Sequence, residues 1–311
     1  MKVIKMLWTE KYRPKQLNQI VGQERFVEDA KAWVYDSRSS MPNVLLYGQA
    51  GVGKTAAAVS LANEILEGQT QGNFFEVNAS DDRRLEVVRT TIKEIASTVK
   101  IGDVAFKIIL LDEMDGMTAD AQNALRRLME RYHSNVRFII TCNLRHKIIY
   151  PLQSRCANYL FTPLSNDLMY DVLQNILDKE GITRYDENEI RTFIYGFDGD
   201  LRRAITELQA ATASNTPLSI QINRMLEPYD KLVDSILNNK YEFSLSKCHD
   251  MLAQSVDMKT ICVALHDSIV KNKEIDTPVK FKLLRVVGEA EWRSANMTPK
   301  VLASWMIGQM I

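Results

Sequence analysis

Eight residues constrain this 311-residue chain more than any others. Gly48-Gln49-Ala50-Gly51-Val52-Gly53-Lys54-Thr55 fits the pattern G-x-x-x-x-G-K-[ST]. The apolar run Asn43–Tyr47 precedes it, and a helix-forming stretch follows, so the glycines join a strand to a helix. Glycines let the backbone curl until its N–H groups face phosphate oxygens, and a helix N-terminus adds positive partial charge. Gly48, Gln49, Ala50, Gly51, Val52, Gly53, Lys54, Thr55 and Ala56 are therefore the expected cradle for a nucleoside triphosphate. Lys54 is expected to reach the β- and γ-phosphates, and the Thr55 hydroxyl to bind Mg²⁺.

A chance glycine-rich turn would lack partners, and this one has them. Ile108-Ile109-Leu110-Leu111-Asp112-Glu113 is an apolar strand ending in two acids. Ligands of open α/β sheets bind at the carboxyl ends of strands, which is where Asp112 falls. Asp112 is expected to help hold Mg²⁺ through its water shell, and Glu113 to orient the attacking water, because phosphoryl transfer depends on positioning and charge stabilisation. Thr141-Cys142-Asn143 ends the next strand and places the Asn143 amide for the γ-phosphate or the water. The strand Phe74–Asn78 lies between the two phosphate motifs in sequence, which suits P-loop proteins that couple hydrolysis to mechanical work.

Short apolar runs at Asn43–Tyr47, Phe74–Asn78, Lys107–Asp112 and Val136–Cys142, with a weaker one at Tyr159–Phe161, alternate with amphipathic stretches. That alternation, without strict polar spacing, predicts a parallel sheet buried on both faces. After Pro163 the strand signals stop. Helices are expected over Ser165–Glu180, with a Ser cap, then Asp186–Tyr195 and Asp200–Ala213, and an all-helical region from about Glu227 onward. Three domains follow: α/β over 1–162, a helical lid over 163–224 and a helical region over 225–311. No run of apolar residues is long enough for a membrane span, and the charged, aromatic opening MKVIKMLWTEKYRP lacks the apolar stretch of a signal peptide, so none is expected. Cys142, Cys156, Cys248 and Cys262 are scattered, so neither a disulfide framework nor a zinc site is expected. His249 and His266 lack ligand-spaced partners. Lys plus Arg (39) balances Asp plus Glu (39), so any nucleic-acid binding must come from a local patch.

Further short motifs, taken in order, carry a family resemblance: Trp8-Thr9-Glu10-Lys11-Tyr12-Arg13-Pro14, Val21-Gly22-Gln23-Glu24, the glycine loop, Asp112-Glu113, Ser154-Arg155-Cys156 and Gly199-Asp200-Leu201-Arg202. Over about the first 210 residues the chain resembles the small subunits of replication-factor-C-type sliding-clamp loaders, within the AAA+ class. The bacterial versions carry a cysteine-rich zinc module absent here, which points to the archaeal, eukaryotic or viral branch. Gln49, Ala50 and Val52 depart from the usual loop at its variable positions, and Met114 replaces a small residue.

The resemblance implies a P-loop AAA+ domain with a five-stranded parallel sheet and helices on both faces, a small helical lid, and an all-α C-terminal collar. It implies ATP and Mg²⁺ as cofactors and an ATP-dependent role in opening a sliding clamp and loading it onto primer–template DNA. Partners would be a large loader subunit and further small subunits in a pentameric ring, the clamp and the DNA, in the cytoplasm with the nucleoid, or in a eukaryote's nucleus. Tyr12, Arg13 and Val21 would line the adenine pocket. Arg155 would act in trans on a neighbour's ATP, and Arg202 would touch the γ-phosphate.

A helix from about Arg83 to Val99, with Leu85, Val88, Ile92, Ile95 and Val99 inward, would face duplex backbone with Arg83, Arg89 and Lys93; the same cations also suit a solvated helix face. The helix Thr118–Tyr132 directs Ala121, Leu125, Leu128 and Tyr132 inward and leaves Gln122, Arg126, Arg127 and Glu130 on polar faces. Ile101, Val104 and Phe106 would offer an edge to the clamp, or half-buried packing. Leu232, Leu283, Trp292 and Trp305 read as helix-core positions of the collar. Two other functions fit the motifs: an AAA+ motor acting on branched DNA, and an ATP-binding scaffold without turnover.

Overall fold

The structure, a computed structural model, describes residues 6–79, 88–183, 185–194, 197, 199–213, 229–253 and 256–311. Five strands form one sheet: β1 Val44–Gly48, β2 Phe74–Asn78, β3 Lys107–Asp112, β4 Val136–Cys142 and β5 Ala157–Phe161. All pairs are parallel and the order is β2-β3-β4-β1-β5. β4 therefore sits between the glycine-loop strand and the acidic strand, pairing Leu45 with Ile140 and Leu111 with Ile140.

Alternate residues of these strands enter two separate cores. Val44, Leu46, Ile108, Leu110 and Ile139 meet Phe26, Ala30 and Val34 of α2 (Glu24–Tyr35) and Ala57, Ala58 and Leu61 of α3 (Lys54–Ile65). Leu45, Ile109, Leu111 and Ile140 meet Ala121, Leu125 and Met129 of α5 (Ala119–Arg131) and Ala96 of α4 (Lys93–Ser97). Burial on both faces explains why these strands are almost wholly apolar. α1 (Trp8–Lys11) lies before α2, and α6 (Tyr150–Gln153) is the short turn leading into β5.

The chain divides into two compact units, Met1–Thr183 with Phe197–Ala210 and Arg184–Gly196 with Ala211–Ile311. α7 (Asn166–Lys179) and most of α9 (Leu201–Thr212) thus belong with the sheet, and α8 (Glu187–Ile194) with the C-terminal helices. The Ser165 hydroxyl accepts from Leu168 N at 3.4 Å, as the expected cap of α7. The second unit contains α10 (229–237), α11 (Tyr241–Ala253), α12 (Met258–Lys271), α13 (Thr277–Arg293) and α14 (Pro299–Met310), and its described residues form helices and connections only. Leu283, Val286, Val287 and Ala290 recur at helical spacing and build its core with Leu265, Leu302 and Met306.

Four expectations need correction. The helix ahead of β3 ends at Ser97, and Val99 is 87% exposed rather than inward. Ser97 Oγ donates to Glu94 O and Thr98 Oγ1 to Ile95 O, so hydroxyls satisfy the last carbonyls and stop the helix. Phe106 is buried in the core beside α3, leaving Ile101 as the exposed apolar residue of that edge with Val104 half-buried. Gln122 is buried, because the chain at Lys147 and Ile149 crosses its face of α5. Trp292 is 76% exposed on α13, outside the core.

Candidate nucleotide-binding site

The carboxyl edge of the sheet gathers the phosphate motifs. Gly48 ends β1, and Gly51 and Gly53 have φ of +76° and +93°, conformations that favour glycine. A Cβ on Gly51 would also collide with the Asp200 carboxylate, and one on Gly48 with the Phe161 carbonyl. Asp200 caps α9, its Oδ1 accepting from Arg203 N at 3.0 Å. The loop that curls around the phosphate position is thus pressed against the start of α9, the element carrying Arg202.

Lys54 is only 8% exposed. Its Nζ donates to Gly48 O at 2.9 Å, Gln49 O at 2.6 Å and Asn143 Oδ1 at 2.8 Å. All three acceptors are neutral, and burial pushes the Lys54 pKa below 10.5, with the positive charge of Arg202 adding in the same direction. Asp112 and Asp115 oppose that shift from close by. An ammonium so placed is short of negative charge, which a triphosphate supplies.

Thr55 Oγ1 lies 3.1 Å from both Asp112 oxygens. Hard oxygen donors side by side, from a hydroxyl and a carboxylate, suit Mg²⁺. Thr141, buried on β4, donates its hydroxyl to Asp112 and accepts from Glu113 N at 3.2 Å. Sequence reasoning missed this residue. Its only signal was a hydroxyl two positions before Asn143 on the strand that turns out to lie next to β3. Glu113 itself is exposed, with φ +54°, so the turn after β3 swings its carboxylate out of the sheet.

The Tyr12, Arg13 and Val21 segment is half-buried. Ser60 Oγ on α3 donates to Pro14 O at 3.2 Å, and Gln23 Nε2 donates to Thr162 O at 2.9 Å just past β5. These bonds tie the segment to the helix that follows the glycine loop and to the strand beside β1. Tyr12 Oη donates to Glu180 Oε1 at 2.8 Å, at the end of α7.

Arg155 is not in the phosphate cluster. Its guanidinium donates to Pro151 O at 2.8 Å and pairs with Glu130 at 2.6 Å. Gln153, in the same turn, exchanges hydrogen bonds with Arg145, which follows Asn143 closely and stacks on Tyr47. Of the three cations expected at DNA, Lys93 is exposed on α4, Arg89 lies in the helical turn Val88–Ile92, and Arg83 falls outside the described residues. No group of three metal-ligating side chains occurs among the described residues, and no described helix is long and apolar enough to cross a membrane.

A glycine loop after β1, an acidic pair at the end of β3 and a polar residue after the β4 between them define a P-loop domain of the AAA class. Residues 44–164 match the family model described as "ATPase family associated with various cellular activities (AAA)". The chain is 36% identical over 293 residues to a replication factor C small subunit of Methanococcus maripaludis, covering 92% of each chain. It is 37% identical over 294 residues to the one of Archaeoglobus fulgidus, covering 92% of this chain and 91% of that protein. With the one of Methanosarcina acetivorans the identity is 47% over 220 residues, 70% of this chain and 64% of that protein. The chain belongs to the replication factor C small subunit family. Among solved structures, the RuvB Holliday junction branch migration motor of Thermotoga maritima superposes with a TM-score of 0.57 at 14% identity, over 84% of this chain and 91% of that chain. That likeness extends to the fold alone.

Proposed function

We propose that this chain is an ATP-hydrolysing subunit of a clamp loader, which opens a sliding clamp and places it on primer–template DNA. The observation that carries the reading is the joined set Lys54–Asn143 and Thr55–Asp112 at one sheet edge, in a chain of the replication factor C small subunit family. The proposed domains are an α/β body over 1–162, a lid over 163–224 and a collar over 225–311.

In this reading the backbone of Gly48 to Thr55 cradles the phosphates, with Ala56 in the first turn of the helix behind them, and Lys54 holds the β- and γ-oxygens. Tyr12, Arg13 and Val21 line the adenine pocket. Thr55 and Asp112 hold Mg²⁺, which neutralises phosphate charge. Glu113 orients the attacking water and Asn143 reads the γ-phosphate. Arg202, at the start of α9, carries nucleotide state to the lid. Arg155 serves a neighbouring protomer's ATP, a contribution of about 10³ to 10⁵ in rate for guanidinium groups of this kind. Arg83, Arg89 and Lys93 contact duplex backbone. The partners are a large subunit and further small subunits in a pentamer, the clamp and the DNA. ATP shifts the ring toward the clamp-holding state by its greater affinity for that state.

The complete Glu113, Asn143 and Arg155 set argues for turnover rather than a passive scaffold. The helical C-terminal unit supports a collar over the end domain of a branched-DNA motor. ATPase rate, measured in the assembled complex with primed DNA, with clamp, with both and with neither, tests the reading. The two ligands together should stimulate more than either alone. Equal rates in all four conditions would contradict a loader.

A further inference from the structure

Arg155 is held by something other than its own loop. Glu130, the penultimate residue of α5, accepts from Arg155 Nη2 at 2.6 Å and from Arg126 Nη1 at 3.0 Å through the same Oε1. Pro151 O takes Arg155 Nη1 at 2.8 Å. The turn beneath is itself pinned: Gln153 Nε2 donates to Ile148 O at 2.7 Å, and Asn158 Nδ2 to the carbonyls of Gln153 and Cys156 at 2.8 and 2.7 Å. We infer that Glu130 is the positioning residue for the Arg155 guanidinium, fixing it in advance for a neighbouring protomer's triphosphate. The inference rests on the proposed trans role of Arg155 and specifies what makes that role efficient.

A guanidinium has five N–H donors. Glu130 and Pro151 use one each, which leaves three for phosphate oxygens. A free arginine on a loop must give up its rotamer freedom at the moment of reaction, whereas a clamped one has already lost it. An acid beside a cation would ordinarily blunt its pull on phosphate. Arg126 removes that difficulty: two guanidinium groups and one carboxylate leave the cluster at net +1, so Glu130 orients the finger without cancelling its charge. Short charge-assisted bonds in a three-member network hold geometry better than the isolated surface pairs that contribute little.

The test compares Glu130→Ala, Glu130→Gln, Arg155→Ala and the double Glu130→Ala/Arg155→Ala variant, each in the assembled complex with its companion subunits. Glu130→Ala should lower kcat by about tenfold, the cost of freezing one arginine side chain, with KM for ATP unchanged. Glu130→Gln keeps an acceptor oxygen in place and should recover most of the rate. The double variant should be no slower than Arg155→Ala, since the clamp has nothing left to position. Additive losses in the double variant would overturn the inference, as would a wild-type kcat for Glu130→Ala beside a large loss for Arg155→Ala. An unchanged kcat for Arg155→Ala itself would remove the trans role, and the positioning role with it.

Discussion

Lys54 joins burial to function through its charge. Burial lowers its pKa, so the native chain holds this proton less tightly than the unfolded one. Between that lowered value and 10.5 the unfolded state binds more protons, so Lys54 makes the nucleotide-free fold gain stability as pH rises through the window. Phosphate reverses the preference by favouring the ammonium. ATP binding within that window should therefore take up protons, and should weaken as pH rises through it. Calorimetry in two buffers of different ionisation enthalpy reads this directly, and equal heats in both would contradict it. The thiols offer a second check at this scale. Burial pushes Cys142, Cys156 and Cys248 up to about 12 and Cys262 to about 11, so all four should resist alkylation until the chain unfolds. Rapid labelling of the native chain would count against these environments. Lys54, Thr55, Asp112 and Asn143 were legible in the sequence because their chemistry needs those residue types at those spacings. Thr141 and Asp200 were not, since their contacts depend on which strands and helices become neighbours.

Helices and strands were legible wherever apolar period and caps agreed, as in α7 with Ser165. Some failures come from polar residues recruited by neighbours. Gln122 sits on an amphipathic helix where polarity suggests solvent, yet Nε2 donates to Met117 O at 3.1 Å and Lys147 O at 3.0 Å, and Oε1 accepts from Ile149 N at 2.9 Å. One side chain therefore joins the turn after the acidic pair to the segment entering α6. Gln122→Ala would leave three backbone groups unpaired and should cost about 3 kcal/mol; a denaturation midpoint equal to wild type would contradict the burial. Lys107 is the same lesson on a strand. It opens β3, is buried, and donates to Ile95 O at 3.3 Å and to Thr98 Oγ1, holding the end of α4 against the sheet. Nothing in an apolar run announces that its one lysine points inward. Lys107→Ala should speed amide hydrogen exchange over Lys93–Ser97, and unchanged exchange there would remove the clip.

At the scale of the molecule, the net charge of zero and the missing apolar span restricted what the chain could be, and the motif order restricted it further. The sheet's five parallel strands followed from alternation of strand and helix signals, while the order β2-β3-β4-β1-β5 did not, because strand order depends on crossover connections rather than on local pattern. That order places β4 between the glycine loop and the acidic pair, so Thr141 and Asn143 at its end touch both. The most direct measurement is equilibrium binding of Mg²⁺-ATP to the chain with its companion subunits, for wild type and Lys54→Ala. Wild type should retain one nucleotide per intact glycine loop, and Lys54→Ala should lose about a hundredfold or more in affinity through the missing charge-assisted bonds. A wild-type chain that retains no ATP, or a Lys54→Ala chain that retains it equally well, would contradict the account.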